Sequence, residues 1–231
     1  LDHRPNPPSG LWNKKARDDG KPLTIVPQDI AMDVEIQTDA ARLVRRLRQA
    51  GLRITVAESC TGGLLASTLT DIAGASDWFD QSWVTYANDA KTRVLGVSPD
   101  TLDRKGAVSA EVAIQMASGA LARSTADIAL SVTGIAGPGN VSDKKLGLVY
   151  VGAASGDWKT AERTIIGGTR AENKLGFVHF AIRVAIENMD AAVKRKEVRA
   201  AEDEKQREAI EAEREARQIN RAAKEAGTRL D

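Results

Sequence analysis

A serine, a tyrosine and a lysine carry the first chemical suggestion in this chain. Ser59 stands in the run Ala57-Glu58-Ser59-Cys60-Thr61-Gly62-Gly63, and Tyr86 and Lys91 lie five residues apart. A serine hydroxyl is a weak nucleophile until a base takes its proton. The chain has only two histidines to serve as that base, His3 in a proline-rich leader and His179 inside the apolar stretch Phe177-Val178-His179-Phe180. His179 reads as a helix-buried side chain, so a Ser-His-Asp arrangement is not expected. Lysine is the substitute in Ser-Lys variants of the same chemistry, provided burial or neighbouring cations lower its pKa. A tyrosine between the two could relay the proton or hold the geometry. Spacing alone leaves a second reading open, with Lys91 on the surface and Tyr86 half-buried. Cys60 is a rival nucleophile, but no histidine is at hand to activate it.

These residues need elements to hold them. Ile54 to Ala57 is an apolar strand-like run that stops at the polar corner Glu58-Ser59-Cys60-Thr61, and two glycines lead into a helix-like stretch from Leu64 to Ile72. A strand, a tight turn and a helix start present a side chain with backbone N–H groups beside it. The corner suits a nucleophile with oxyanion donors near Thr61-Gly62 or Gly134, and equally an anion-binding turn. Trp83 to Tyr86 reads as a second strand, followed by a helix from Asn88 to Leu95 and a short one opened by Ser98-Pro99-Asp100. Ser109 caps a helix over 110–123 with Val112, Met116, Ala120 and Leu121 inward.

Asp127 to Val132 is nearly all apolar, as in a strand buried on both faces. The glycine-rich segment Thr133-Gly134-Ile135-Ala136-Gly137-Pro138-Gly139-Asn140 follows it. That segment matches neither the Walker nor the Rossmann spacing, and reads either as a phosphate cradle or as a tight connection. Two more strands, Leu148 to Ala154 and Thr160 to Ile166, are joined at Ser155-Gly156-Asp157 as a hairpin, and Leu175, Val178, Ile182 and Ile186 mark a closing helix. The helix over 37–50 places Ala40, Leu43, Val44 and Leu47 on one face and four arginines on the others. The pattern predicts an α/β three-layer sandwich: a mixed, mostly parallel sheet with helices on both faces. Segments 58–63, 86–91 and 133–140 fall at the carboxyl ends of strands, where such sheets bind ligands.

Composition narrows the classes. Net charge is +1 with 28% charged residues, which gives no bulk signal for nucleic acid. One cysteine excludes an intrachain disulfide, and a three-histidine metal site cannot be built. Clustered carboxylates at ligand spacing are also missing, so a metal hydrolase is not expected. No apolar run is long enough to span a membrane and no signal peptide is evident, so a cytoplasmic, reducing compartment is expected. Residues 1–36 include five of the seven prolines within the first 30 and read as an extended arm, either without regular structure or docking on a partner through Trp12. In the segment 194–217, 16 of the 24 residues are charged, eight of each sign. This reads as a solvated helix, too poor in apolar positions for a sustained coiled-coil seam. The expected division is an arm over 1–36, a catalytic domain over 37–188 and a charged helical tail over 189–231. A chain starting at Leu1 is read as a fragment, a processed form or the ordered part of something longer.

With these stretches in view, the chain resembles the C-terminal domain family of CinA, the nicotinamide-nucleotide amidases. The matching motifs are Ala57 to Gly63, Thr70-Asp71-Ile72-Ala73-Gly74-Ala75-Ser76, Val84-Thr85-Tyr86-Ala87-Asn88-Asp89-Ala90-Lys91, Gly106-Ala107-Val108-Ser109 and Thr133 to Pro138, in family order over roughly residues 37–188. The resemblance implies hydrolysis of the carboxamide of nicotinamide mononucleotide to nicotinic acid mononucleotide and ammonia, with no metal or organic cofactor. Ser59 would be the nucleophile, with Lys91 and Tyr86 handling the proton. Substrate contacts are expected from Glu58, Thr61, Gly62, Gly63, Asn88, Thr133, Gly134, Gly137 and Arg170, with the phosphate near a helix N-terminus or a cationic side chain. A homodimer is a family habit. The chain departs from the family pattern between Gly139 and Gly147, at Thr169, where the family has aspartate, and at Lys174, where it has arginine. The additional N-terminal domain of the long family members is not expected within these residues. The resemblance thus leaves three readings: this amidase, an amidase for a different small amide, or a structural or interaction subunit held by its arm and tail.

Overall fold

The computed structural model describes residues 30–138, 144–156 and 158–227, with side-chain surroundings given from Val34 to Gln218 within those spans. Residues 1–29 of the proline-rich arm and residues 139–143 of the altered segment lie outside the described residues, whereas residues 30–36, expected to be extended, form the first turns of α1. The element order is α1 (Ile30–Ala50), β1 (Ile54–Glu58), α2 (Leu64–Thr70), β2 (Phe79–Val84), α3 (Asn88–Leu95), α4 (Pro99–Lys105), α5 (Ala110–Leu121), β3 (Ile128–Gly134), β4 (Leu148–Ser155), β5 (Trp158–Ile165) and α6 (Arg170–Gly227). The sheet order is β2-β1-β3-β4-β5. β1 pairs parallel with both β2 and β3, whereas β3–β4 and β4–β5 are antiparallel, so four of the five strands point one way.

Burial follows the strand period of two. Ile54, Val56, Ile128, Leu130, Val132, Val149, Val151 and Ala153 form one face with buried residues of α1, α2 and α6. Ala57 and Ala129 face the opposite side with Leu95, Leu102, Val112, Met116 and Ala120 of α3, α4 and α5. The second face is built of small residues, and α5 approaches it closely. Ser131 Oγ donates to the carbonyl oxygen of Ala113 at 2.6 Å, and a Cβ on Gly152 would stand 2.4 Å from that oxygen. The near-continuous apolarity of β3 therefore does mean burial on both faces.

The connections set the place of the site. The chain leaves β1 through α2 on one face to reach β2, then returns through α3–α5 on the other face to β3. β1 is thus the strand where the path reverses, and a crevice opens beyond its carboxyl end.

Besides α1, three elements differ from the sequence pattern. β2 begins at Phe79 and stops at Val84, so Tyr86 lies beyond the strand in the connection to α3. Asp80, Gln81 and Ser82 hide this edge strand from an apolar pattern. α2 ends at Thr70 rather than Ile72. The closing helix and the charged tail form one helix of 58 residues, about 87 Å long at 1.5 Å per residue. Met189 and Ala192 of α6 are buried in the core, and exposure is continuous from Lys194 to Gln218. α1 packs against α6. Arg46 donates to the carbonyl of Ile186 at 2.9 Å and pairs with Asp190, and His179 Nε2 lies 2.9 Å from Asp39 Oδ2. His179 is thus a half-buried tie between α1 and α6. No helix among the described residues is long and apolar enough to cross a membrane.

Candidate functional site

β1 ends at Glu58, and Ser59 begins the corner. Its N–H donates to Val132 O at 3.0 Å, which extends the β1–β3 ladder by one bond, and its carbonyl accepts the Gly62 N–H at 3.1 Å. Gly62 and Gly63 turn the chain with φ of 66° and 97°, values that favour glycine. The corner is therefore set by paired backbone on both sides of the serine.

Lys91 sits on the first turns of α3, yet its side chain is 1% exposed. Nζ lies 3.1 Å from Ser59 Oγ and 2.9 Å from each of the carbonyl oxygens of Thr85 and Tyr86. Burial without a paired carboxylate lowers its pKa from 10.5 to about 8, and the neighbouring Cys60 opposes this weakly. The surface reading of Lys91 is excluded. The three contacts also determine what the amine can do. Carbonyl oxygens only accept, so a neutral amine gives its two N–H groups to Thr85 and Tyr86 and turns its lone pair toward Ser59. A serine hydroxyl facing an amine of lowered pKa is the arrangement a Ser-Lys nucleophile requires.

Tyr86 reaches Lys91 through its backbone. Its side chain is exposed, and its phenol oxygen accepts from Arg170 Nη2 at 2.7 Å. Cys60 is buried, and burial pushes its thiol up to about 12, so it remains a neutral thiol beside the serine.

A cavity of about 690 Å³ opens over these groups. Ser59, Lys91, Tyr86, Asn88, Thr133, Gly134, Gly137 and Arg170 line it, so the structure gathers eight of the sequence-expected positions in one place. Thr133 Oγ1 donates to Ala107 O at 2.8 Å and ties β3 to the α4–α5 connection. Gly137 is packed on Arg170, whose Cβ would be 3.0 Å from a Cβ at 137. Arg170 opens α6, where Thr169 and Glu172 cap each other: Thr169 N–H donates to Glu172 Oε2 at 2.6 Å and Glu172 N–H to Thr169 Oγ1 at 3.4 Å.

Four expected contacts do not line the cavity. Glu58 is fully buried, and its carboxylate accepts the N–H groups of Gly63, Leu65 and Ala66 at 2.9–3.0 Å. The start of α2 is therefore satisfied from within, and the anion-binding reading of this turn falls. Thr61 is buried, the Gly62 N–H is committed to Ser59, and the Gly63 N–H to Glu58.

The sequence reading missed a cationic wall. Arg104, Lys105 and Lys144 line the cavity with Arg170. Arg104 pairs with Asp100, Lys105 pairs with Glu111 at 3.1 Å, and Lys144 donates to the carbonyl oxygens of Lys105 and Val108. The adjacent bases Arg104-Lys105, just before the quoted motif Gly106 to Ser109, were the available signal. Among the described residues no group of three or more His, Cys, Asp and Glu side chains is placed to hold a metal.

This α/β fold with a serine and a buried lysine at the reversal point of its sheet defines a class, and comparison with known proteins agrees. A model of the CinA C-terminal domain matches residues 36–189. The chain belongs to the CinA C-terminal domain family. A CinA-like protein of Chlorobium phaeobacteroides is 51% identical over 156 residues, which cover 65% of this chain and 36% of that protein. The chain thus spans about a third of the length of several curated relatives that it matches. A nicotinamide-nucleotide amidohydrolase PncC of Enterobacter agglomerans is 46% identical over 143 residues, 61% of this chain and 87% of that protein. Among solved structures, the competence/damage inducible protein CihA of Agrobacterium tumefaciens is 44% identical with a TM-score of 0.64, covering 66% of this chain and 94% of that one. A CinA superfamily protein of Klebsiella pneumoniae is 32% identical with a TM-score of 0.66, covering 68% and 98%.

Proposed function

We propose that this protein hydrolyses the carboxamide of nicotinamide mononucleotide to nicotinic acid mononucleotide and ammonia. The observation that carries the reading is the contact between Lys91 Nζ and Ser59 Oγ at 3.1 Å, in a cavity rimmed by cations. The relative named as a nicotinamide-nucleotide amidohydrolase supports the substrate.

In this reading the neutral Lys91 takes the Ser59 proton as Oγ bonds to the carboxamide carbon. The tetrahedral oxyanion needs a backbone donor. Gly62 and Gly63 have spent theirs, and of the expected donors Gly134 lies at the cavity wall. As the C–N bond breaks, the Lys91 ammonium returns the proton to nitrogen and ammonia leaves. Water, deprotonated by the same amine, then opens the Ser59 ester and releases the acid. The phosphate meets the wall formed by Arg104, Lys105, Lys144 and Arg170, and Tyr86 with Arg170 borders the entrance. Nothing in these steps calls for a metal or an organic cofactor.

Ammonia release from nicotinamide mononucleotide, nicotinamide riboside and free nicotinamide tests this. The reading predicts turnover of the first and at least a tenfold lower kcat/KM for the two that lack phosphate. Equal rates on all three would remove the cationic wall from the account, and no release from any would remove the activity. A role as a structural subunit would be favoured by the last outcome.

A further inference from the structure

We infer that Glu58 is the positioning residue that keeps Ser59 and Lys91 in register; this rests on the Ser-Lys reading above. Glu58 directly precedes the serine and is joined to both halves of the pair. On one side its carboxylate holds the N–H groups of Gly63, Leu65 and Ala66, which closes the turn Ser59-Cys60-Thr61-Gly62 at both ends. On the other side its backbone carbonyl accepts the Thr85 N–H at 2.8 Å, and the Thr85 carbonyl accepts Lys91 Nζ at 2.9 Å. One residue thus anchors the serine's corner through its side chain and the lysine's cradle through its main chain.

The side chain is the part evolution or a mutation can change without touching the ladder. A fully buried carboxylate is costly unless it is hydrogen-bonded, and charge-assisted bonds to three amides are stronger and shorter than neutral ones. They hold α2 against the end of β1 and leave the corner one geometry. Without them the Gly62-Gly63 pair, with its freedom at positive φ, lets the corner move. A displacement of about 1 Å between reacting groups costs on the order of a hundredfold in rate. Glu58 touches neither the cavity nor Lys91, so it acts only through the residues it holds.

The test compares wild type with Glu58→Gln, which keeps the shape, loses the charge and turns an NH2 group toward one of the three amides. Two readouts are taken: kcat and KM for ammonia release, and the rate at which a fluorophosphonate probe labels Ser59, followed by mass spectrometry. The labelling does not depend on the substrate. The expected result is a parallel ten- to hundredfold fall in kcat and labelling rate with KM within about threefold. Should Glu58→Gln fail to fold, Glu58→Asp, which keeps the charge but shortens the reach by one methylene, provides the same comparison. A lower melting temperature with labelling and kcat unchanged would reduce Glu58 to a structural cap and overturn the inference. A rise in KM alone would return it to substrate contact and overturn it equally. Wild type that is not labelled, and is indistinguishable from Lys91→Met, would sink the Ser-Lys reading and the inference with it.

Discussion

Arg170, the first residue of α6, donates to the phenol oxygen of Tyr86 at 2.7 Å across the mouth of the cavity. The phenol is thereby engaged away from Lys91, whose three contacts are Ser59 Oγ and the carbonyl oxygens of Thr85 and Tyr86. A relay through the phenol is not needed when amine and hydroxyl already touch. Tyr86→Phe is expected to leave kcat within about threefold and to raise KM three- to tenfold, because only the bond to Arg170, of the order of 1 kcal/mol, is lost. A fall in kcat of a hundredfold with KM unchanged would assign the phenol to proton transfer.

The proposed base predicts a pH dependence for the proposed reaction. Only the neutral amine can accept the serine proton, and burial brings its pKa to about 8. The kcat/KM profile of the free enzyme is expected to rise with pH and level off above an apparent pKa near 8. Stability follows the same group. Its pKa is lower folded than unfolded, so between about 8 and 10.5 the unfolded chain holds the extra proton, and stability rises with pH there. The stability of wild type relative to Lys91→Met should therefore increase from pH 8 to pH 10, by no more than about 1.4 kcal/mol per unit. Paired thermal melts at both pH values check the sign.

α6 provides a prediction about where the folded unit ends. Met189 and Ala192 are buried against α1 and the sheet, and Lys196 reaches the carbonyl of Gly51 and, at 3.6 Å, Asp127. From Lys194 to Gln218 every described residue is exposed. Removing residues 200–231 should leave the melting temperature within about 2 °C, since exposed positions rarely contribute more than about 0.5 kcal/mol. Cutting after Asn188 should lower it by several degrees, because it strips two buried side chains from the core. Thermal melts of the two truncations decide between a core that ends at 188 and one that runs past 192.

Gly119 sets how closely α3 lies on α5. A Cβ there would stand 1.9 Å from the Leu95 carbonyl oxygen, which also accepts from Arg123 Nη1 at 3.3 Å. Alanine gains about 1 kcal/mol in helix propensity, but the overlap is with backbone and cannot be relieved by a side-chain rotation. Overpacking of this kind costs about 1–3 kcal/mol, so Gly119→Ala is expected to be destabilising on balance and to lower activity by shifting the helix that carries Lys91. Denaturant melts and kcat measured together test both parts.

The serine was legible because it stands where a strand meets a turn, the lysine because it opens the helix after the next strand, and the apolar runs Ile54–Ala57 and Ile128–Val132 gave the sheet around them. What was not legible depends on backbone partners or on long-range approach. Glu58 looked like a ligand contact because its partners are amides of Gly63, Leu65 and Ala66, which no side-chain pattern announces. The edge strand β2 was cut short because Asp80 binds Thr125 and Arg53 rather than contributing to an apolar face. The closing helix and the charged tail, read as separate segments, run on as one helix. No proline occurs after Pro138 and no glycine between Gly176 and Gly227, and the alanines, glutamates, lysines and arginines of the tail are good helix formers. The cationic wall was missed because Lys144 and Arg104 are forty residues apart and meet only through the fold.

Ammonia release from nicotinamide mononucleotide by wild type, Ser59→Ala and Lys91→Met, each shown to be folded, measures the proposed chemistry most directly. The account predicts turnover by wild type at pH 8.5 or above, where most of the amine is neutral, and a loss of at least a thousandfold in both variants, since nucleophile and base act as a unit. Turnover by Ser59→Ala at the rate of wild type would contradict it.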